Sequence, residues 1–261
     1  MTYIIFVTVA FFSSIIGAIC GIGGGVIIKP VLDMVGILDV KTINFLSGCT
    51  VLAMSTYSIV MAKVKRESLV EWKTATPLAV GAAVGGLLGK EIFQIISQRI
   101  GERAGAIQAI CLIIMTVGTL LYTLKKEHIR TYHLVNIAVC VVVGLILGIA
   151  SSFLGIGGGP INLVVLFFLF SMQTKTAAQN SLYIILFSQL ASLCSTLVTN
   201  SVPNVNVWLL MLMIVGGIMG GFFGRKINKK IDSQMVDKLF IGLMIVIILI
   251  NIYNVFKFAS M

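Results

Sequence analysis

Two copies of one glycine cluster, Gly21-Ile22-Gly23-Gly24-Gly25 and Gly155-Ile156-Gly157-Gly158-Gly159, are the residues of this chain best suited to hold a ligand. Consecutive glycines leave main-chain N–H groups unobstructed and accept the positive-φ geometry that aims several of them at one point. An apolar segment follows each cluster, so the unpaired N–H groups and partial positive charge of a helix N-terminus face the same point. Pro160 suits the first turn of such a helix because it needs no hydrogen-bond acceptor. Gly23, Gly24 and Gly25 together with Gly157, Gly158 and Gly159 can therefore cradle an oxyanion without a fixed side-chain charge. The competing reading is close helix packing, although three successive glycines disrupt a helix more than packing requires.

Neutral donors surround both clusters. Gln179, Asn180 and Ser181 open the helix after the second cluster, Asn162 lies one turn into the short segment, and Thr42, Asn44, Ser47 and Thr50 occupy the matching region of the first half. Amides and hydroxyls can donate to an anion without the cost of burying a charge, and they equally bond helix to helix. Ser188 and Gln189, farther along, read as structural. Lys29 and Asp33 are ionisable residues well inside an apolar segment, four apart and so on one helix face. Lys29 is a candidate to attract the anion and Asp33 to carry a coupling proton; the alternative is an internal ion pair or snorkelling to the interface, the second half having Leu163 and Phe167 there. Cys20, just before the first cluster, either touches a sulfur-containing substrate or packs.

The elements that must position these residues belong to a membrane. Hydrophobic residues make up 58% of the chain and charged residues 11%, outside the balance of a soluble domain. Apolar stretches of spanning length, roughly 20 residues, recur at 3–20, 42–62, 74–92, 104–124, 134–153, 177–199, 205–224 and 236–258. Two shorter runs, 26–38 and 160–172, follow the glycine clusters and read as half-helices or re-entrant segments. The expected fold is an all-α polytopic membrane protein with eight long helices and two short ones. Met1 to Cys20 lacks the basic start and small-residue cleavage site of a secretion signal and reads as a structural helix. The five cysteines form no CxxC pair, so neither a disulfide framework nor a metal site is expected. The net charge of +10 fits positive-inside loops and anionic lipid, with no basic and aromatic interleaving of the kind that binds nucleic acid.

The chain is internally duplicated. The glycine clusters repeat at an offset of 134, as do Lys41-Thr42 with Lys175-Thr176 and Ser47 with Ser181. Gly81, Gly85, Gly86 and Gly89-Lys90 return as Gly216, Gly220, Gly221 and Gly224-Arg225 at an offset of 135, spaced for helix packing. Residues 1–130 and 131–261 are two copies of one unit. Basic residues favour inverted copies with both termini outside. Twelve (Lys63, Lys65, Arg66, Lys73, Lys125, Lys126, Arg130, Lys175, Arg225, Lys226, Lys229, Lys230) then fall inside against five outside (Lys41, Lys90, Arg99, Arg103, Lys257). Parallel copies divide them eight to nine.

GIGGGVIIKP and GIGGGPINL, each followed by KT-x4-S, resemble the sulfite exporter TauE/SafE family of permeases, also grouped as 4-toluene sulfonate uptake permeases. The likeness covers nearly the whole chain. It implies passage of small sulfur-containing anions, such as sulfite and sulfonates, across a bacterial plasma membrane. The expected mechanism holds the anion between the two glycine breaks and exposes it alternately by rocking of the halves. A passive anion channel and a non-transporting partner subunit are the other readings. An enzyme is not expected: His128 and His133 sit at the junction of the halves, and neither HExxH nor a Walker motif is present, so no cofactor is implied.

Overall fold

The computed structural model describes residues 2–259. Ten α-helices follow one another: α1 (Thr2–Cys20), α2 (Gly25–Val35), α3 (Val40–Val64), α4 (Trp72–Ile100), α5 (Ala104–Lys125), α6 (Ile137–Leu154), α7 (Gly159–Phe170), α8 (Thr174–Val198), α9 (Val207–Lys230) and α10 (Ser233–Ala259). Eight are long and apolar enough to cross a membrane, as hydropathy predicts. The exceptions are α2 and α7, with 11 and 12 residues. At 1.5 Å per residue they reach about 17–18 Å, short of the roughly 30 Å hydrocarbon core.

Boundaries moved where polar chemistry overrides hydropathy. α4 runs on to Ile100, past the expected 92, because Gln94, Ser97 and Arg99 lower the hydropathy without breaking the helix. α6 begins at Ile137 instead of 134 because the Asn136 side chain caps it, accepting from Ala138 N at 2.9 Å. Asp39 does the same for α3, accepting from Thr42 N at 3.0 Å and Thr42 Oγ1 at 2.6 Å. Thr42 is therefore tied up by the helix cap.

Helix pairing follows the sequence repeat. α4 lies along α6 and α9 along α1; α4 also meets α8 as α9 meets α3; α10 meets α2 as α5 meets α7. Partners come from opposite halves, so the two copies interleave. Glycine makes the closest pairs possible. A Cβ on Gly81, Gly85 or Gly89 would collide with the carbonyls of Val141, Leu145 or Ile149, and one on Gly144 or Gly148 with those of Leu78 or Ala82. On the other pair, Gly220 and Gly224 meet Phe11 and Ile15.

Gly85→Leu should therefore separate α4 from α6 and destabilise the fold by about 1–3 kcal/mol or more. Gly118, in α5 with open space where its Cβ would stand, supplies the contrast: Gly118→Ala should be neutral or stabilising by up to about 1 kcal/mol through helix propensity. Thermal unfolding of both variants in detergent tests the pair.

Candidate functional site

The glycine clusters end one helix and start the next. α1 stops at Cys20, Gly21 and Gly23 take φ of +76° and +70°, and α2 begins at Gly25. In the second copy Gly155, Gly157 and Gly158 stand at +66°, +80° and +100°, and α7 begins at Gly159. The two turns abut. A Cβ on Gly25 would lie 2.5 Å from the Ile156 carbonyl oxygen, and one on Gly159 would run into Val26. Val51 and Ile185, themselves repeat counterparts, both flank Gly23 and Gly157. First-turn N–H groups of α2 and α7 have no acceptor within their helices, which concentrates donors and positive potential at this junction.

Buried polar atoms in the interior lack a hydrogen-bond partner among the described residues. They include Ser14 Oγ, Ser47 Oγ, Ser151 Oγ, Ser152 Oγ, Asn162 Oδ1, Ser181 Oγ and Ser188 Oγ. Ser14 Oγ is 3.1 Å from where a Gly24 Cβ would be, and Asn162 Nδ2 2.7 Å from the Gly158 position. Such atoms are costly unless something donates to them or accepts from them.

A cavity of about 110 Å³ leads to the junction from one side, room for several water-sized groups. Its cations are Lys41 and Lys90, and deeper lining comes from Asn44, Gly48, Ser152, Gly155 and Gln189. Lys90 Nζ is 3.3 Å from Ser195 Oγ and 3.4 Å from Ser201 Oγ, and Gln94 Nε2 also reaches Ser201 Oγ at 3.4 Å. Gln189 joins the cavity to the second turn, its Nε2 lying 3.6 Å from the Gly157 Cβ position. Two cations at the mouth with neutral donors behind them suit a small anion.

The candidates read from the sequence separate into three groups. Gly23, Gly24, Gly25, Gly157, Gly158, Gly159 and Asn162 are buried at the helix breaks, and Ser47 and Ser181 are buried within α3 and α8. Gln179 and Asn180 instead hold the α3–α4 loop: Gln179 Oε1 accepts from Leu69 N at 2.8 Å and Asn180 Oδ1 from Glu71 N at 3.0 Å. Cys20 is buried in the apolar core with Ile19, Ile22 and Val26, and Lys29 is bonded to Asp33 at 2.6 Å with both side chains buried. That pair rests on α10, where Lys257 Nζ donates to the Asp33 carbonyl at 2.8 Å and Asn254 Nδ2 to the Pro30 carbonyl at 2.9 Å. Gln189, read as structural, lines the cavity. The signal for it was a polar stripe, Gln189, Ser192 and Thr196, at helical spacing on an otherwise apolar helix.

A second cavity, of about 30 Å³, is lined by Ser58, Ile59, Ala62, Lys175, Gln179 and Arg225 among others. Glu67 bonds two of these from the α3–α4 loop: its carboxylate takes Arg225 at 2.6 Å and its carbonyl takes Gln179 Nε2 at 3.5 Å. The same carboxylate pairs with Lys229. Lys229, first through its hydrogen bond and then its charge, followed by Arg225 and Lys65, holds the Glu67 carboxyl below the usual carboxylate range.

The profile of the family described as sulfite exporter TauE/SafE matches residues 6–250. Among curated proteins, the probable membrane transporter protein YunE of Bacillus subtilis (strain 168) is 23% identical over 236 residues, spanning 83% of this chain and 85% of that protein. No solved structure matches the chain.

The ion pairs yield two predictions. Lys29→Met leaves a buried carboxylate without its partner and should cost about 3–5 kcal/mol. Replacing both residues by their second-half counterparts, Lys29→Leu with Asp33→Phe, should recover most of that loss on thermal unfolding in detergent. For Glu67, a lowered folded-state pKa means its contribution is complete above the unfolded value and lost as pH falls through the folded one. The difference in thermal stability between the unaltered chain and Glu67→Gln should accordingly be full near neutral pH and vanish as the pH falls below the ordinary carboxylate range.

Proposed function

The chain belongs to the sulfite exporter TauE/SafE family of membrane transporters, and from that premise we propose that it is a secondary transporter for a small sulfur-containing oxyanion such as sulfite or a short sulfonate. The observation that carries the reading is the cavity that runs from Lys41 and Lys90 to Gln189, Ser152 and Gly155 beside the second glycine break. Cations at its mouth draw an anion in; neutral amides, hydroxyls and helix N-termini receive it once water is left behind.

Alternating access follows from the duplication. Residues 1–130 and 131–261 act as inverted repeats, each supplying one broken helix to a site near the bilayer midplane. The reciprocal helix pairing supports a two-fold relation between the copies, and the inward bias of Lys and Arg supports their inversion. On this topology the larger cavity opens to the outside, while the smaller lies on the cytoplasmic side of a bacterial plasma membrane. The family description names export, which makes the larger cavity the side of release. The abutting glycine turns and the Val51 and Ile185 side chains against them favour a carrier over an open channel.

Flux of labelled sulfite, sulfate, thiosulfate and short sulfonates in proteoliposomes, with and without a pH gradient, tests the proposal. A carrier gives saturable flux and counterflow; unsaturating flux identifies a channel, and none with folded protein overturns transport of this class. Lys90→Gln and Gln189→Leu should each lower the flux by about tenfold or more, the loss of one good polar contact being worth about 1.4 kcal/mol or more. Full flux in both variants would remove the cavity from the pathway.

A further inference from the structure

The two cavities are repeat counterparts. Lys41 and Thr196 of the larger correspond to Lys175 and Ala62 of the smaller at an offset of 134, and Lys90 corresponds to Arg225 at 135. The same backbone device therefore occurs on both sides of the glycine junction, wide on one and narrow on the other. What differs is the residue facing the cation. Lys90 meets the neutral hydroxyl of Ser201 at 3.4 Å, whereas Arg225 meets the carboxylate of Glu67 at 2.6 Å, and Glu67 is the counterpart of Ser201 at an offset of 134.

We propose that the smaller cavity is the second access vestibule for the anion, and that the Glu67 carboxylate is a built-in competing anion that keeps it shut by occupying Arg225 and Lys229. The inference rests on the transport reading above and names the residues that gate it. Three further features support it. The loop carrying Glu67 is fastened to α8 by Gln179 and Asn180, through Leu69 and Glu71; their counterparts on the open side, Phe45 and Leu46, cannot make such bonds. Glu67 comes from the first copy and Arg225 from the second, so the pair ties the two halves together where rocking would part them. Finally, the carboxylate is about two-fifths exposed, and ion pairs so placed are weak, as a contact broken in every cycle must be. A substrate oxyanion entering from this side meets the cations that Glu67 releases.

Cysteine labelling in lipid nanodiscs, where both faces are open to reagent, tests the proposal. Ala62→Cys reports the smaller cavity and Thr196→Cys its counterpart, with the unsubstituted chain as blank for the native cysteines. In an otherwise unaltered chain Thr196→Cys should label and Ala62→Cys should not. Adding Glu67→Gln should raise labelling of Ala62→Cys by about fivefold or more and lower that of Thr196→Cys, as expected of a shift between two states. The exchange Glu67→Arg with Arg225→Glu should reverse the effect. Unchanged labelling of Ala62→Cys in the Glu67→Gln background, with Thr196→Cys still reactive, overturns the latch. Sulfite is then added as protectant in that background. Protection of both reporters supports an anion site in each vestibule, and protection of Thr196→Cys alone overturns the one assigned to the smaller. Protection of neither overturns both assignments and counts against the transport reading, while the labelling itself still decides the latch.

Discussion

Lipid offers no hydrogen bonds to a peptide group, so any chain that leaves the helix at membrane depth must find its partners within the protein. Most of this fold answers that constraint. Each of the two glycine turns interrupts a helix in the apolar interior, and each is covered by the other, Gly25 against the Ile156 carbonyl and Gly159 against Val26. The short helices that follow cannot cross the bilayer and so bring two N-termini, with their unpaired donors, to one place. Long helices then enclose that place. α4 on α6 and α9 on α1 approach as closely as backbones can, because glycines face the partner's carbonyls. Helix association in lipid depends on such packing in the absence of a hydrophobic drive between helices.

Charge is distributed according to the same cost. Where a cation and an anion are both buried, at Lys29 and Asp33, they neutralise each other at 2.6 Å and rest on α10. The other cations of the interior, Lys41 and Lys90 or Lys175 and Arg225, line the two cavities described above. Farther in, the lining is hydroxyl, amide and backbone. On the proposed transport reading, a substrate anion would pass from full charges at the cavity mouth to neutral dipoles farther in. A buried fixed cation would bind it too tightly to release and would itself be expensive between turnovers.

Much of this was legible in the sequence because it is written in periodicity. Eight spans, two short segments and the 134-residue repeat depend on residue type alone, and the glycines of α4 and α9 announced packing by their spacing. The site was legible only in part. Gln179 and Asn180 stand beside the second break in sequence, but α8 turns them toward the α3–α4 loop, more than a hundred residues away along the chain. Gln189 is remote from the break in sequence, yet α8 leans against α4 and α3, which brings it beside Gly157. Neither fact is local, so no window along the chain could contain it. The Glu67 pair with Arg225 is likewise invisible until α9 is placed against α3.

The unequal chemistry of equivalent positions matters for what such a protein can and cannot do. Two copies of one unit with identical side chains would divide their time equally between the two faces. On the mechanism proposed above, a carboxylate at position 67 facing Arg225, where the other copy has Ser201 facing Lys90, removes that balance and favours one orientation at rest. It cannot decide the direction of net movement. A latch in a carrier that returns to the same state after every cycle shifts the population of its states but not the equilibrium across the membrane, so net flux still follows the gradients of the anion and of whatever ion is coupled to it. What the latch does control is sensitivity. An anion arriving at the closed face competes with Glu67 for the same cations, so opening there depends on the anion concentration on that side, and the empty protein stays shut toward it.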